Sequence, residues 1–169
     1  MTLVRKADCA GFTLFELILS LSLIAILMGF FFSRMLYYQE VVEEASMRQT
    51  VNMINTSMNL KLADWITKGE QGKFQQLERR NPVDWLAAKP VNYVGELYDP
   101  QTGEVPEGSW YYDLKDGSLV YLVKRSAHFR GDGHKWIRFH VDLNYNAKNY
   151  RGFVGARLVP ISPYSWFGH

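Results

Sequence analysis

Between Phe12 and Ser33 the chain runs for twenty-two residues with a single charge, Glu16. At a rise of about 1.5 Å per residue, such a run makes a helix of roughly 33 Å, which matches a bilayer core of about 30 Å. The segment is therefore expected to span a membrane once. Arg5 and Lys6 precede it, so the positive-inside tendency puts the N-terminus in the cytoplasm and the residues after Arg34 on the far side. The asymmetry is slight, because Arg34 closes the other end. A secretory signal would have a shorter apolar region and a small-residue cleavage site after it, whereas this run ends in the bulky GFFFSRM. Hydropathy alone leaves a plain single-pass anchor open.

The rest of the composition narrows the partners. A chain of 169 residues has room for one anchor and one modest globular domain. Its 19 Lys and Arg against 17 Asp and Glu give a net charge of +2, too small to point to nucleic acid as a partner. The one cysteine, Cys9, precedes the apolar run, so no disulfide or thiolate metal site can form within the body of the protein.

Glu16 is the residue that hydropathy does not explain. A carboxylate in an apolar helix costs on the order of 2.5 to 3.5 kcal/mol, less toward the interface. The run offers no Lys, Arg or His to pair with it. Its partner must be another chain, a chain terminus, or headgroups and water.

The stretch Gly11-Phe12-Thr13-Leu14-Phe15-Glu16 resembles the processing site of type IV prepilins and type II secretion pseudopilins. In that family a short basic leader ends in Gly, the next residue is usually Phe, and a Glu follows four residues later at the head of an apolar helix. The resemblance implies that a prepilin peptidase removes the leader, residues 1–11, by cutting between Gly11 and Phe12, and methylates the new amino group of Phe12. It also supplies Glu16 with a partner, the N-terminal ammonium of a neighbouring subunit. Two groups that are costly to bury alone become tolerable as a pair, which favours one register of helix contact. The implied partners are the peptidase, other pilins or pseudopilins, an inner-membrane assembly platform and membrane lipid. The implied location is a bacterial inner membrane with the C-terminal domain in the periplasm.

Two departures bear on the kind of subunit. Many major pilins carry a Pro near the end of the membrane segment, where this chain has Ser33, so any local unwinding there must rely on Gly29. Many also close a C-terminal loop with a disulfide, which this chain cannot do. A minor pilin or pseudopilin is the resulting expectation, and the competing class is a membrane-tethered periplasmic enzyme or binding module that never polymerises.

After Arg34 no Pro or Gly occurs until Gly69, and Val51, Ile54, Met58, Leu62 and Trp65 step by three or four. That spacing predicts one helix from Phe12 to about Ile66, with residues 34–66 amphipathic and one face packed on a globular domain, 67–169. Residues 67–80 read as a polar loop, with Arg79 and Arg80 as solvated charges. Asn81-Pro82 reads as the cap and first position of a short helix that carries Val83, Trp85 and Leu86. From Tyr93 the texture becomes β. Segments 109–114 and 118–124 flank the hairpin signal Lys115-Asp116-Gly117, with Tyr111, Val120 and Leu122 alternating as in half-buried strands. Trp136–Tyr145 and Phe153–Ile161 are two further strands. The expected fold is α+β, a long helix packed against an antiparallel sheet of about four strands. The resemblance implies the same arrangement, and WYYD followed by DGSLVY is similar to the hairpin of several minor pilins and pseudopilins.

Other constellations carry less. His128, His134, His140 and His169 fit no helical ligand spacing, and no cofactor or metal is expected from them. Asp142, Asn144 and Asn146 lack the Gly and distal Glu of a calcium loop and read as a strand end. Some pseudopilins bind calcium, which leaves a carboxylate-lined loop around Asp132 open. Arg130-Gly131-Asp132 spells an adhesion tripeptide but reads as a turn between glycines. Tyr164, Trp166 and Phe167 are expected to pack back on the domain rather than form an exposed contact surface. No nucleophile elbow, phosphate-binding glycine loop or Cys/His pair suggests catalysis.

Overall fold

The computed structural model describes residues 13–101, 103–145 and 153–168, and these fall into two compact units that meet between Tyr38 and Gln39. Helix α1, Leu14–Thr67, contributes to both. In the first unit its apolar side chains are exposed all round, from Leu14 to Leu36. In the second, only one stripe is covered.

That stripe extends the predicted one toward the N-terminus. Ile54, Met58, Leu62 and Trp65 are buried and Val51 is partly so, but Met47, Glu44 and Glu40 continue the same three-and-four spacing backwards. After α1 come a one-turn 3-10 helix, Gln71–Lys73, and the short helix α2, Gln76–Arg79, where a polar loop was expected. Leu77 of α2 is fully buried and Phe74 just before it stacks on Trp65 at 6.5 Å, and these apolar contacts hold an otherwise polar segment in place. Arg79 and Arg80 are exposed. The predicted cap at Asn81 is present, since its side-chain oxygen accepts the Val83 N–H at 3.1 Å. The helix it opens is a single 3-10 turn, Pro82–Trp85, whose Trp85 meets Trp65 edge-on at 5.6 Å.

The main sheet has five strands in the order β1 (Tyr93–Leu97), β2 (Trp110–Asp113), β3 (Ser118–Leu122), β5 (Trp136–Tyr145) and β6 (Phe153–Pro160). All pairs are antiparallel except β1 with β2, which is parallel. A separate ribbon pairs β4 (Phe129–Arg130) with β7 (Ser165–Trp166). The extra strand beyond the expected four is β1. Its register slips between Tyr93 and Gly95, and Gly95 at φ +132 interrupts any readable alternation. The β2–β3 hairpin forms as expected, with Gly117 at φ +69 and the Asp116 side chain accepting from the Ser118 N–H at 3.0 Å.

The half-buried pattern expected for this hairpin does not hold, because every residue of β2 is buried. Trp110, Tyr112, Leu119 and Tyr121 face the α1 stripe in one core, while Tyr111 and Val120 pack in a second core with Val105. The loop that carries Val105 joins two strands paired in parallel, so it must cross a sheet face, and it covers the side that a simple meander would leave wet.

Helix α1 also closes one edge of the sheet. Asn59 Nδ2 donates to the Ala156 carbonyl at 2.8 Å while its Oδ1 accepts the Ala156 N–H at 3.1 Å, and Asn55 Oδ1 accepts the Leu158 N–H at 2.7 Å. The amide of Asn59 thus stands in for a neighbouring strand on β6, satisfying groups that would otherwise invite edge pairing. Replacing Asn59 by Ala strands both Ala156 groups, and the expected loss is on the order of 1–3 kcal/mol with greater self-association. Thermal unfolding and light scattering of the full chain in detergent check this against Asn52→Ala, which removes an exposed side chain and is expected to stay near the parent.

Candidate functional site

The first turn of α1 brings Thr13 and Glu16 together. Thr13 sits at the N-cap, its carbonyl accepting the first helical bond from Leu17 at 3.1 Å and its hydroxyl accepting the Glu16 N–H at 3.2 Å. Glu16 is the acidic residue of that turn and its side chain is exposed. A carboxylate near a helix N-terminus is favoured by the backbone dipole, which offsets part of its cost in an apolar setting. Gly11 and Phe12, the expected cut and modification positions, lie outside the described residues.

The remaining polar groups of the apolar segment are satisfied within the helix. Ser20, Ser22 and Ser33 donate to the carbonyls of Glu16, Ile18 and Gly29 at 2.7, 2.8 and 3.2 Å. The helix continues through Gly29, so local unwinding, left open by the sequence there, is not adopted. Among the described residues α1 is one helix long and apolar enough to cross a membrane by length and composition. Arg34 lies over the Phe30 ring at 5.6 Å, and Tyr37 and Tyr38 meet edge-on next to it, a grouping suited to a membrane interface.

A second polar centre occupies the start of α1 in the globular unit. Glu40, only 2 % exposed, accepts from the His128 N–H at 2.8 Å and from Trp166 Nε1 at 3.0 Å, and lies 2.9 Å from His128 Nδ1. An ionised carboxylate only accepts, so Nδ1 carries the proton in that contact. One turn on, Glu43 accepts from the backbone N–H groups of Lys124 and Arg125 at 2.6 and 3.0 Å and from the Tyr121 hydroxyl at 3.1 Å. These carboxylates fasten the segment after β3 and the C-terminal ribbon onto α1. The buried stripe continued backwards by its own spacing reaches Glu40, whereas no signal in the sequence marks Glu43.

Trp166 is fully buried, as expected for a C-terminus that packs back, and Phe167 stacks on His128 at 4.8 Å. The described histidines do not converge: His134 stacks on Trp136 at 4.2 Å and His140 is exposed, while His169 lies outside the described residues. Among the described residues no three His, Cys, Asp or Glu side chains gather in a way that could hold a metal. Asp142 faces Arg157 across the β5–β6 pair at 3.7 Å, which accounts for it as a strand residue, and Asn146 lies outside the described residues. Asp132 is exposed in a turn made by Gly131 and Gly133, while Arg130 is drawn to the carbonyls of Ala127 and Phe129.

Burial works to raise the Glu40 pKa, but the bonds from the His128 side chain, the His128 N–H and Trp166 outweigh it and hold the carboxyl below its ordinary 4.5. Because the folded value is the lower one, Glu40 contributes stability that is complete above pH 4.5 and is lost as the pH falls through the folded value. Thermal unfolding scans in detergent are expected to show stability dropping below that pH. In Glu40→Gln the neutral-pH stability falls and part of the acid dependence disappears.

A family model for the prokaryotic N-terminal methylation motif matches residues 6–32. Neither a curated protein nor a solved structure matches the chain. The motif implies processing by a prepilin peptidase and assembly with other pilins, and together with the apolar helix it fits a membrane-anchored, single-pass protein with a structural role. That motif, at the head of a long helix packed against a mostly antiparallel sheet, makes the chain consistent with a type IV pilin-like protein.

Proposed function

We propose that the protein is a minor pilin or pseudopilin, a non-catalytic subunit of a type IV pilus or type II secretion filament that assembles through its N-terminal helix. The observation that carries this reading is Glu16, an exposed carboxylate in the first turn of an apolar helix, inside the span of the methylation motif. Cleavage between Gly11 and Phe12 places the leader, with Arg5, Lys6 and Cys9, on the discarded side and creates an amino group at Phe12, which is then methylated. The ammonium of a neighbouring subunit is the partner that Glu16 lacks within its own span. Residues 12–33 lie in the inner membrane, 34–66 continue the helix beyond it, and 67–169 form the periplasmic domain. An inner-membrane platform collects subunits as their helices come together.

The absence of a Pro near Ser33 and of any disulfide in the body of the chain supports a minor or secretion-type subunit over a major pilin. Mass spectrometry of the membrane-extracted protein is expected to find a chain that begins at methylated Phe12. An intact Met1 terminus would instead describe an anchored protein that does not polymerise. Glu16→Ala is expected to leave cleavage in place and to lower incorporation into filaments by about tenfold or more, the factor that roughly 1.4 kcal/mol of lost pairing produces. Undiminished incorporation removes Glu16 from the assembly contact.

A further inference from the structure

Thr13 and Glu16 stand at the spacing of a capping box, in which an N-cap Thr and a Glu three residues on exchange bonds from side chain to backbone N–H in both directions. Only one direction is made here. The Thr13 hydroxyl accepts the Glu16 N–H at 3.2 Å, while the Glu16 carboxylate has no hydrogen bond or ion pair among the described residues. The other hydroxyls of the apolar segment, on Ser20, Ser22 and Ser33, all donate backwards to carbonyls, so Thr13 alone among them serves an N–H.

We infer that Thr13 is a positioning residue for filament assembly, whose hydroxyl closes the first turn of α1 and so leaves the Glu16 carboxylate uncommitted for the ammonium of another subunit. This inference rests on the assembly reading above. The physical basis is a competition for one acceptor. The first turn of a helix has N–H groups with no intrahelical partner, and within an apolar surrounding no water replaces it. If the Thr13 hydroxyl did not take the Glu16 N–H, the carboxylate of the same residue is an acceptor that can fold back to it, drawn by the dipole of its own helix. A carboxylate satisfied by its own backbone gains less from an incoming amine, so the hydroxyl spares it that role. The side-chain bulk of Thr13 has no part in this. Val, with the same shape and no hydroxyl, abolishes the effect, and Ser retains it.

The test uses the full chain in detergent for the cap and cells for assembly. Amide hydrogen exchange at Glu16 is expected to quicken about five- to tenfold in Thr13→Val and to stay at the parent rate in Thr13→Ser. In cells, the fraction of cleaved chains found in filaments is expected to fall in Thr13→Val toward the level of Glu16→Ala and to recover in Thr13→Ser. Scoring cleaved chains alone separates docking from any effect on the peptidase. Equal exchange in Thr13→Val and the parent overturns the cap, and a Ser variant as defective as Val overturns the role of the hydroxyl. Normal incorporation of Glu16→Ala overturns the assembly reading and the positioning role with it, whereas the exchange result still reports on the cap alone.

Discussion

The buried face of α1 is the surface on which the rest of the globular unit closes. Met47, Ile54, Met58, Leu62 and Trp65 supply its apolar part, and Trp110, Leu119, Tyr121 and Phe139 of the sheet pack in the same core. The face is not wholly apolar. At its beginning Glu40 and Glu43 accept from five backbone or ring N–H donors in the segment after β3 and the C-terminal ribbon, and further along Asn55 and Asn59 complete the edge of β6. Apolar contact supplies the driving force, roughly 25 cal/mol for each Å² removed from water. The polar contacts select which loop and which strand edge can lie against the helix, because a buried donor left unpaired costs about 1–3 kcal/mol.

The same helix meets a different demand in the first unit. There its side chains are apolar on every face, and its hydroxyl groups turn back onto its own carbonyls or, for Thr13, onto an N–H of the first turn. A backbone that satisfies itself is what a hydrocarbon surrounding requires. Glu16 is the exception, and its cost has to be met from outside the helix. That requirement links a local sequence irregularity to assembly: a subunit with an unmet carboxylate gains by meeting another that brings a positive charge.

Much of this was legible in one dimension. The apolar run, the C-terminal end of α1 at Thr67, the hairpin at Lys115-Asp116-Gly117 and the strands Trp136–Tyr145 and Phe153–Pro160 follow from periodicity and turn chemistry, which act over a few residues. β1 was not legible, because Gly95 breaks its alternation and its partner β2 lies across a long connection. Nor was the burial of both faces of β2, which depends on where the loop carrying Val105 crosses the sheet. Glu40 and Glu43 look like exposed charges until the donors that surround them come from residues 121–128 and from Trp166.

By itself the sequence determined the membrane-length helix, the single misplaced charge within it and the motif at its head, since hydropathy and a short recognition pattern are properties of contiguous residues. Only the tertiary structure decided that carboxylates on α1 fasten a distant loop and that asparagines finish a sheet edge. The physical reason is the same in each case. Whether a polar side chain is solvated, buried or matched depends on the donors brought to it in three dimensions, and those donors lie far away in sequence, as Trp166 does from Glu40 with a separation of 126.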